Sequence, residues 1–211
     1  WFTPQTPNPR DVWKSSDGVE WVCATPEAAW VHGDLPATMP FKDRMWLMGG
    51  RKLPGAENTN TVWSSADGAD WKLESADPGW CARVSPSFAV FQDRMWIMGG
   101  TENFYEDNDT TLKNDVWSTA DGRNWTCEVE HAAWDKRTHA QVTVFDNKLW
   151  IMGGGAWQPE TIPRNDVWCS ADGVTWEQVT HAAPWMARMW FSLVVYRGHL
   201  WVLGGWNRED G

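Results

Sequence analysis

Three arginines recur in this sequence at the same distance from a tryptophan. Arg83, Arg137 and Arg188 each follow a tryptophan by three residues, whereas the corresponding residue of an earlier copy is Gly33. Guanidinium groups bind carboxylates through two parallel hydrogen bonds. If the three side chains converge on one face of the protein, they would form a site for a ligand that carries a carboxylate.

Aspartates also recur once per copy, and their spacing favours structural ion pairs with the arginines over a ligand site. They lie two residues before a tryptophan, and one copy has Thr61 instead. The repeat described below places Gly33 and Thr61 in one sheet, which therefore lacks both partners of a pair. Losing one partner of a buried ion pair is costly, whereas losing both is nearly neutral. We therefore predict structural ion pairs, which are commoner than catalytic ones: Arg83–Asp115, Arg137–Asp166 and, if the chain ends meet, Arg188–Asp11.

Tryptophan is abundant, with 20 among 211 residues. Sixteen belong to a repeating pattern, and the aromatic residues that it does not require fall in the loops. Exposed aromatic side chains of this kind stack on sugar rings or anchor peptides. The alternative is that they only cover the mouth of the fold. These loop aromatics are Trp1, Trp157, Trp190, Trp206, Phe104 and Tyr105.

Metal and cofactor chemistry find little support. His139 lies two residues after Arg137, but no second ligand stands at a metal-binding spacing from it. The four cysteines show no C-x-x-C motif and are expected to be unlinked thiols on strands. The acidic run at 106–109 lacks the glycine and terminal glutamate of an EF-hand, so we expect a solvated charge run. The sequence thus predicts no metal and no cofactor.

The elements that position these residues come from an internal repeat. An apolar run ending in two glycines occurs four times, with the first glycine at 49, 99, 153 and 204. Each copy also contains Asp-Gly between two tryptophans, which predicts a hairpin with a tight turn. Further strands are expected at Gln141–Phe145 and Leu149–Met152. Four short antiparallel strands per copy, apolar on both faces, must pack against sheets like themselves, as in a propeller.

The double glycine, the pair of tryptophans and the period of about 50 residues together resemble the kelch repeat. The resemblance covers essentially the whole chain, although the family's usual tyrosine is tryptophan here (Trp13, Trp63, Trp117 and Trp168). It implies an all-β propeller of four-stranded antiparallel blades. We expect one domain over 1–211, with blade hairpins starting near 11, 61, 115 and 166. A composite closing blade would combine 11–25 with 191–205.

Four blades' worth of strands allows three assemblies. The first is a closed four-bladed ring, in which the two ends of the chain complete one blade. The second is a head-to-tail homodimer with eight blades, formed through the open blade edges. The third is a fragment of a longer propeller.

Charge and loops limit the function. The net charge of −10 and the pI near 4.9 argue against nucleic-acid and anionic-membrane partners. No apolar run approaches the roughly 20 residues of a membrane-spanning helix. Insertions occur at 51–60, 101–114 and 155–165, all on one face of the expected propeller. Variable loops on a rigid scaffold are where binding usually occurs.

We therefore predict a non-catalytic binding or scaffold propeller that recognises a glycan or a peptide or protein ligand through this face. The predicted ligand-binding residues are Trp157, Trp190, Trp206, Phe104, Tyr105, Arg137, His139 and Arg188. The kelch resemblance also implies an enzymatic alternative, a sialic-acid mutarotase, in which Arg137, His139 and Arg188 would provide acid–base and carboxylate contacts. A purely structural role is the third alternative.

Overall fold

The computed structural model describes residues 7–55, 57–157 and 159–207. Over these ranges the chain consists of twenty β-strands joined by turns and loops, with no α-helix. The prediction of an all-β protein with antiparallel sheets is confirmed. The described residues accordingly contain no helix that could span a membrane.

Three complete antiparallel sheets of four strands form the body of the protein. The first sheet contains β3 (Ala37–Phe41), β4 (Arg44–Met48), β7 (Val62–Ser65) and β8 (Lys72–Ser75). The second contains β9 (Ser87–Phe91), β10 (Arg94–Met98), β11 (Val116–Thr119) and β12 (Thr126–Val129). The third contains β13 (Gln141–Phe145), β14 (Lys148–Met152), β17 (Val167–Ser170) and β18 (Glu177–Thr180).

Shorter elements complete the chain. Two two-stranded half-sheets lie at its ends, β1 (Val12–Lys14) with β2 (Val22–Thr25), and β19 (Ser192–Tyr196) with β20 (His199–Leu203). Two small hairpins lie in the loops, β5 (Arg51–Lys52) with β6 (Glu57–Asn58), and β15 (Gly155–Ala156) with β16 (Ile162–Pro163).

Each complete sheet uses two kinds of turn. The turn between its first two strands has positive φ at both central residues, as at Asp146 (49°) and Asn147 (53°), which matches a tight two-residue hairpin. The Asp-Gly segment was expected to be the tight turn, but it forms a longer loop in which only the glycine has positive φ (84° at Gly68). There Asp67 accepts hydrogen bonds from the backbone N–H groups two and three residues on.

Consecutive sheets pack through their first strands, so β3 contacts β9, β9 contacts β13, and β13 contacts β19. Tryptophans fill the space between sheets. Trp80 meets Trp125 of the next sheet edge-on, with ring centroids 5.9 Å apart. The Trp46 indole covers Gly122 of the next sheet so closely that a Cβ there would lie 2.0 Å from the ring. The repeating tryptophans are thus explained by packing between sheets.

The two half-sheets do not join in this structure. β1–β2 and β19–β20 remain separate sheets at opposite ends of the array, so the expected composite closing blade is not formed. The counterparts of the buried Trp96 and Met98 are exposed here: Trp201 is 46% exposed and Leu203 is 50% exposed. Sequence periodicity specifies the content of each sheet, but it does not determine whether two chain ends are close enough to pair.

Candidate binding site on the loop face

The loop face is the side of the sheets that carries the segments 51–60, 101–114 and 155–165. Each double glycine leads into a residue whose backbone bridges to the segment after the third tryptophan of a repeat, as in Val84–Thr101, Thr138–Gly155 and Met189–Trp206. These bridges hold the insertions against the start of the next sheet. The loop face is therefore ordered by backbone hydrogen bonds as well as by side chains.

One position per repeat surrounds a central cavity on this face. The four residues have left-handed backbone conformations, with φ between 50° and 55°. All four line a cavity of about 340 Å³. They are Leu35, Ser85, His139 and Trp190. His139, a predicted ligand-binding residue, thus lies at this cavity.

Six aromatic rings form a contiguous group beside this cavity, which we call the loop-face aromatic cluster: Phe104, Tyr105, His139, Trp157, Trp190 and Trp206. Neighbouring ring centroids lie 4.5 Å apart for His139 and Trp190, 4.6 Å for Trp190 and Trp157, and 5.1 Å for Trp157 and Trp206. Phe104 extends the cluster from His139 to Tyr105, at 6.0 Å and 5.5 Å. The structure thus brings together loop aromatics from three repeats; Trp1 lies outside the described residues.

The cluster combines buried and accessible surface. Tyr105 is 54% exposed and Trp190 is 39% exposed, while Phe104, Trp157 and Trp206 are half-buried. Mutual packing therefore accounts for part of each ring, and the exposed faces of Tyr105 and Trp190 remain available to a ligand. This arrangement suits stacking on the apolar face of a sugar ring or on a peptide side chain.

His139 is buried within the cluster and is held neutral. Burial disfavours its charged form and lowers its pKa from 6.5 to about 3. Its Nε2 atom has no hydrogen-bond partner among the described residues, and the same holds for Oγ of Ser85 across the cavity. Buried polar atoms are normally hydrogen-bonded. Two such atoms therefore lie at this one cavity.

Arg51 is a further member of the site that the sequence interpretation missed. It is buried, lies over the rings of Phe104 and Tyr105 at 4.5 Å and 5.4 Å, and forms an ion pair with Asp34. Its Nη1 has no hydrogen-bond partner among the described residues. The available signal was a charged residue immediately after Gly50, where the other copies have threonine, glycine or tryptophan.

Asp107 corrects the prediction of a solvated acidic run. This side chain is buried, and its carboxylate accepts a hydrogen bond of 2.7 Å from the backbone N–H of Trp157. The second loop thereby holds the third loop, and with it Trp157, in place. The sequence could not indicate this contact because the two loops have no common pattern.

The recurrent arginines do not converge on the cluster. Arg83 binds Asp115 through both of its terminal nitrogens, at 2.6 Å and 2.7 Å. Arg137 binds Asp166 in the same way, at 2.8 Å and 2.7 Å. Both arginine side chains are buried. They are therefore engaged by protein carboxylates, and the arrangement does not provide a carboxylate-binding site built from three arginines.

The third pair is absent. Arg188 donates to the backbone oxygens of Met186 and Gly204. Within the described part of the chain, the carboxylate of Asp11 accepts a hydrogen bond only from the indole of Trp13. The predicted contact between Arg188 and Asp11 needed the chain ends to meet, and they remain apart.

The ion pairs keep their members charged despite burial. Burial disfavours the charged form of Arg83, but its hydrogen bonds to Asp115 outweigh this effect and raise its pKa. Burial similarly opposes ionisation of Asp166, but Arg137 outweighs it and lowers the pKa of that carboxyl group. The described residues contain no group of three or more His, Cys, Asp or Glu side chains that could hold a metal.

The cysteines have no partner sulfur. All four are free thiols. Cys23, Cys127 and Cys169 lie on strands as expected, but Cys81 lies in the loop before β9. Burial raises the pKa of the Cys81 thiol to about 11, so it is a weak nucleophile.

The fold and site together define an all-β array of antiparallel sheets with a cavity and an adjoining aromatic cluster on one face. No protein-family model matches the chain, and no curated protein sequence matches it. Among solved structures, YjhT has a similar fold, with a TM-score of 0.74 and 13% sequence identity. The match covers 93% of this chain and 66% of YjhT, so the chain spans just under two thirds of that protein. At this identity the similarity shows the fold alone.

Proposed function

We propose that this chain is a kelch-like β-propeller module whose loop face binds a glycan or a peptide. The observation that carries the proposal is the loop-face aromatic cluster, with unpartnered buried polar atoms on His139, Ser85 and Arg51 beside it. The rings provide apolar contact area, and the polar atoms provide orientation. Ligand sites usually combine a mostly apolar lining with a few placed polar groups.

The chemistry of the cavity favours an uncharged ligand group. At the cavity His139 is neutral and Ser85 carries a hydroxyl group. The charge of Arg51, which lies over Phe104 in the adjoining cluster, is balanced by Asp34. A sugar hydroxyl could donate to or accept from each of the first two groups. Its ring could stack on Trp190. A glycan therefore fits this site better than a peptide with charged side chains.

Binding to an array of glycans and to a peptide library tests the proposal directly. Trp190→Ala and Trp157→Ala are expected to weaken binding at least tenfold, because each removes an aromatic contact. Trp21→Ala is the control, since Trp21 is an exposed tryptophan that lies after the Asp-Gly turn, at the opposite end of the sheets from the loop-face aromatic cluster. Equal affinity of all variants, or equal losses in Trp190→Ala and Trp21→Ala, would refute binding at this site.

A sugar-converting enzyme of the kelch type, such as a sialic-acid mutarotase, is the second candidate. The observation that favours it is the unpartnered Nε2 of His139 in the cavity, and the fold similarity to YjhT is compatible with either function. Against it, Arg137 is engaged by Asp166 and His139 has a pKa of about 3. Anomer interconversion measured by NMR, lost in His139→Ser, would favour the enzyme over the binding module.

A structural role is the third candidate. A protein with only this role would bind no ligand in the glycan and peptide assays and would not interconvert anomers.

The absence of nucleic-acid and membrane partners remains a prediction from the net charge.

A further inference from the structure

The loop-face aromatic cluster presents two exposed rings with buried rings between them. Its ring contacts run from Trp190 to His139, from His139 to Phe104, and from Phe104 to Tyr105. The two inner rings are buried or half-buried, whereas Tyr105 is 54% exposed and Trp190 is 39% exposed. A sugar ring that stacks on Trp190 beside the cavity therefore leaves the face of Tyr105 uncovered.

A hydrogen-bond donor and an acceptor without partners occur together in the β5–β6 hairpin. Arg51 and Asn58 are directly opposite each other in this hairpin, so their side chains lie on the same face. Nη1 of Arg51 and Oδ1 of Asn58 are both buried, and neither atom has a hydrogen-bond partner in the described part of the chain. Buried polar atoms are normally hydrogen-bonded, so a group that bonds to both atoms is missing from this position.

Other contacts fix both side chains beside Tyr105. Nε and Nη2 of Arg51 donate to the carboxylate of Asp34, and the guanidinium group lies 5.4 Å from the centre of the Tyr105 ring. Arg51 is only 4% exposed. Nδ2 of Asn58 donates to the backbone oxygen of Glu102 at 2.6 Å. The hairpin is thereby held against the loop that carries Tyr105, and the unpartnered donor and acceptor are held with it.

A hydroxyl group matches this pair of atoms. It accepts a hydrogen bond from Nη1 of Arg51 and donates one to Oδ1 of Asn58, whereas a carboxylate only accepts and an ammonium group only donates. The charge of Arg51 is already balanced by Asp34. The exposed ring of Tyr105 adds an apolar surface for stacking. A sugar ring carries hydroxyl groups at its edge and an apolar face, and it satisfies both requirements.

We propose that Arg51, Asn58 and Tyr105 form a second sugar subsite, so that the ligand is an oligosaccharide of at least two units rather than a monosaccharide. One unit occupies the cavity and stacks on Trp190. Another stacks on Tyr105 and places a hydroxyl group between Arg51 and Asn58. This inference rests on the proposed function, because it extends the same loop-face site to a longer ligand.

Titration calorimetry with sugars of increasing length tests the inference. The probes are the mono-, di-, tri- and tetrasaccharides of the cellulose, chitin, amylose and mannan series. In a series that binds, we expect the affinity to rise about tenfold above that of the monosaccharide and then to level off, because the second subsite adds one ring contact and two hydrogen bonds.

The possible failures of the inference and of the proposed function differ. Equal affinities for the monosaccharide and the tetrasaccharide in every series that binds would overturn the second subsite and leave the proposed function intact. Binding of peptides alone would also overturn the second subsite, while the peptide form of the proposed function would stand. Binding of neither glycans nor peptides would refute both.

Tyr105→Ala separates the two subsites. This variant should lose the gain in affinity with chain length and keep the monosaccharide affinity to within about twofold, because Tyr105 contacts only the second unit. Tyr196→Ala is the matched control: Tyr196 is the only other tyrosine of the chain, is 53% exposed, and lies at the end of β19 away from the loop face. Equal losses for the monosaccharide and the tetrasaccharide in Tyr105→Ala would contradict the assignment of this ring to a second subsite.

Arg51→Lys tests the hydrogen bonds at the second subsite. Lysine keeps a cation beside Asp34 but lacks the Nη1 donor, so the gain with chain length should fall while the monosaccharide affinity stays unchanged. Thermal unfolding followed by circular dichroism establishes that this buried variant is folded, and Tyr105→Ala carries the test if it is not. A folded Arg51→Lys with the full gain would mean that Nη1 binds only a water molecule, and the proposed subsite would be wrong.

Discussion

The contributions of Arg137 and Asp166 to the free energy of unfolding should be strongly coupled, because the two residues form one buried ion pair. Arg137 is 1% exposed and makes four hydrogen bonds: two with Asp166 and one each with the backbone of Gly153 and Asp135. Removing one member of such a pair leaves an uncompensated buried charge. We expect Arg137→Ala and Asp166→Thr each to lower the free energy of unfolding by about 3 kcal/mol.

The first sheet shows why the double variant should cost less than the sum. It has Gly33 and Thr61 in place of the pair, and the Thr61 hydroxyl accepts the indole hydrogen bond of Trp63 at 3.2 Å. Arg137→Ala/Asp166→Thr approaches that arrangement, with alanine where the first sheet has Gly33. No buried charge is left unpaired, but the volume of the arginine side chain is left unfilled, so we expect a total cost of about 3 kcal/mol and a coupling free energy of about 3 kcal/mol between the two sites.

Urea unfolding followed by tryptophan fluorescence at pH 7 measures these values. The surface pair of Lys42 and Asp93, 3.3 Å apart and well exposed, is the control, and its coupling should be about 0.5 kcal/mol or less. Additivity of the two Arg137 and Asp166 changes to within about 0.5 kcal/mol would refute the reasoning.

Acid provides an independent check on the same pair. Arg137 lowers the pKa of Asp166 in the folded state below its ordinary 3.8. As the pH falls, the carboxylate of Asp166 is therefore protonated at a higher pH in the unfolded chain than in the folded protein. The stabilisation is complete above about pH 5 and is lost as the pH falls below 3.8. The stability difference between wild type and Arg137→Ala should accordingly shrink in acid.

Two further changes have matched controls in the repeat. Gly122→Ala should lower stability by about 3 kcal/mol, because the new Cβ meets the Trp46 ring, whereas Gly18→Ala, with a similar φ but open space, should cost only about 1 kcal/mol of backbone strain. His139→Ser should flatten the pH dependence of unfolding between pH 6.5 and 5. In this range the histidine is protonated in the unfolded chain but stays neutral when it is buried in the folded protein. This difference lowers the free energy of unfolding of the wild type by about 2 kcal/mol at pH 5. Denaturant titrations measure both, and an unchanged pH slope in His139→Ser would contradict the second.

Much of the fold follows from the repeat because the same contacts recur in every copy. The apolar run before each double glycine predicts a strand, and β14 spans Lys148–Met152, within one residue of the expected bounds. Pairs that recur once per sheet could be inferred by comparing copies. The simultaneous loss at Gly33 and Thr61 was informative because only a direct contact explains it.

What could not be predicted lies where the copies differ. Asp107 belongs to an insertion with no counterpart, so its burial depends on a neighbouring loop of unrelated sequence. Whether β1–β2 and β19–β20 join into one sheet likewise depends on the arrangement of all the sheets, which no single residue records. Pattern comparison indicates contacts within a repeated unit, and it is uninformative about contacts between unique segments.

The first sheet connects the framework to the loop face. It lacks the arginine inside the sheet, at Gly33, and the neighbouring Asp34 instead binds Arg51, whose guanidinium lies over Phe104. The first sheet thus has no guanidinium group at the position of Arg83 and Arg137, but it places the guanidinium group of Arg51 at the aromatic cluster. Because Asp34 accompanies it, the cluster gains a hydrogen-bond donor without gaining net charge. This balance of charge is the reason for proposing an uncharged ligand group rather than a carboxylate.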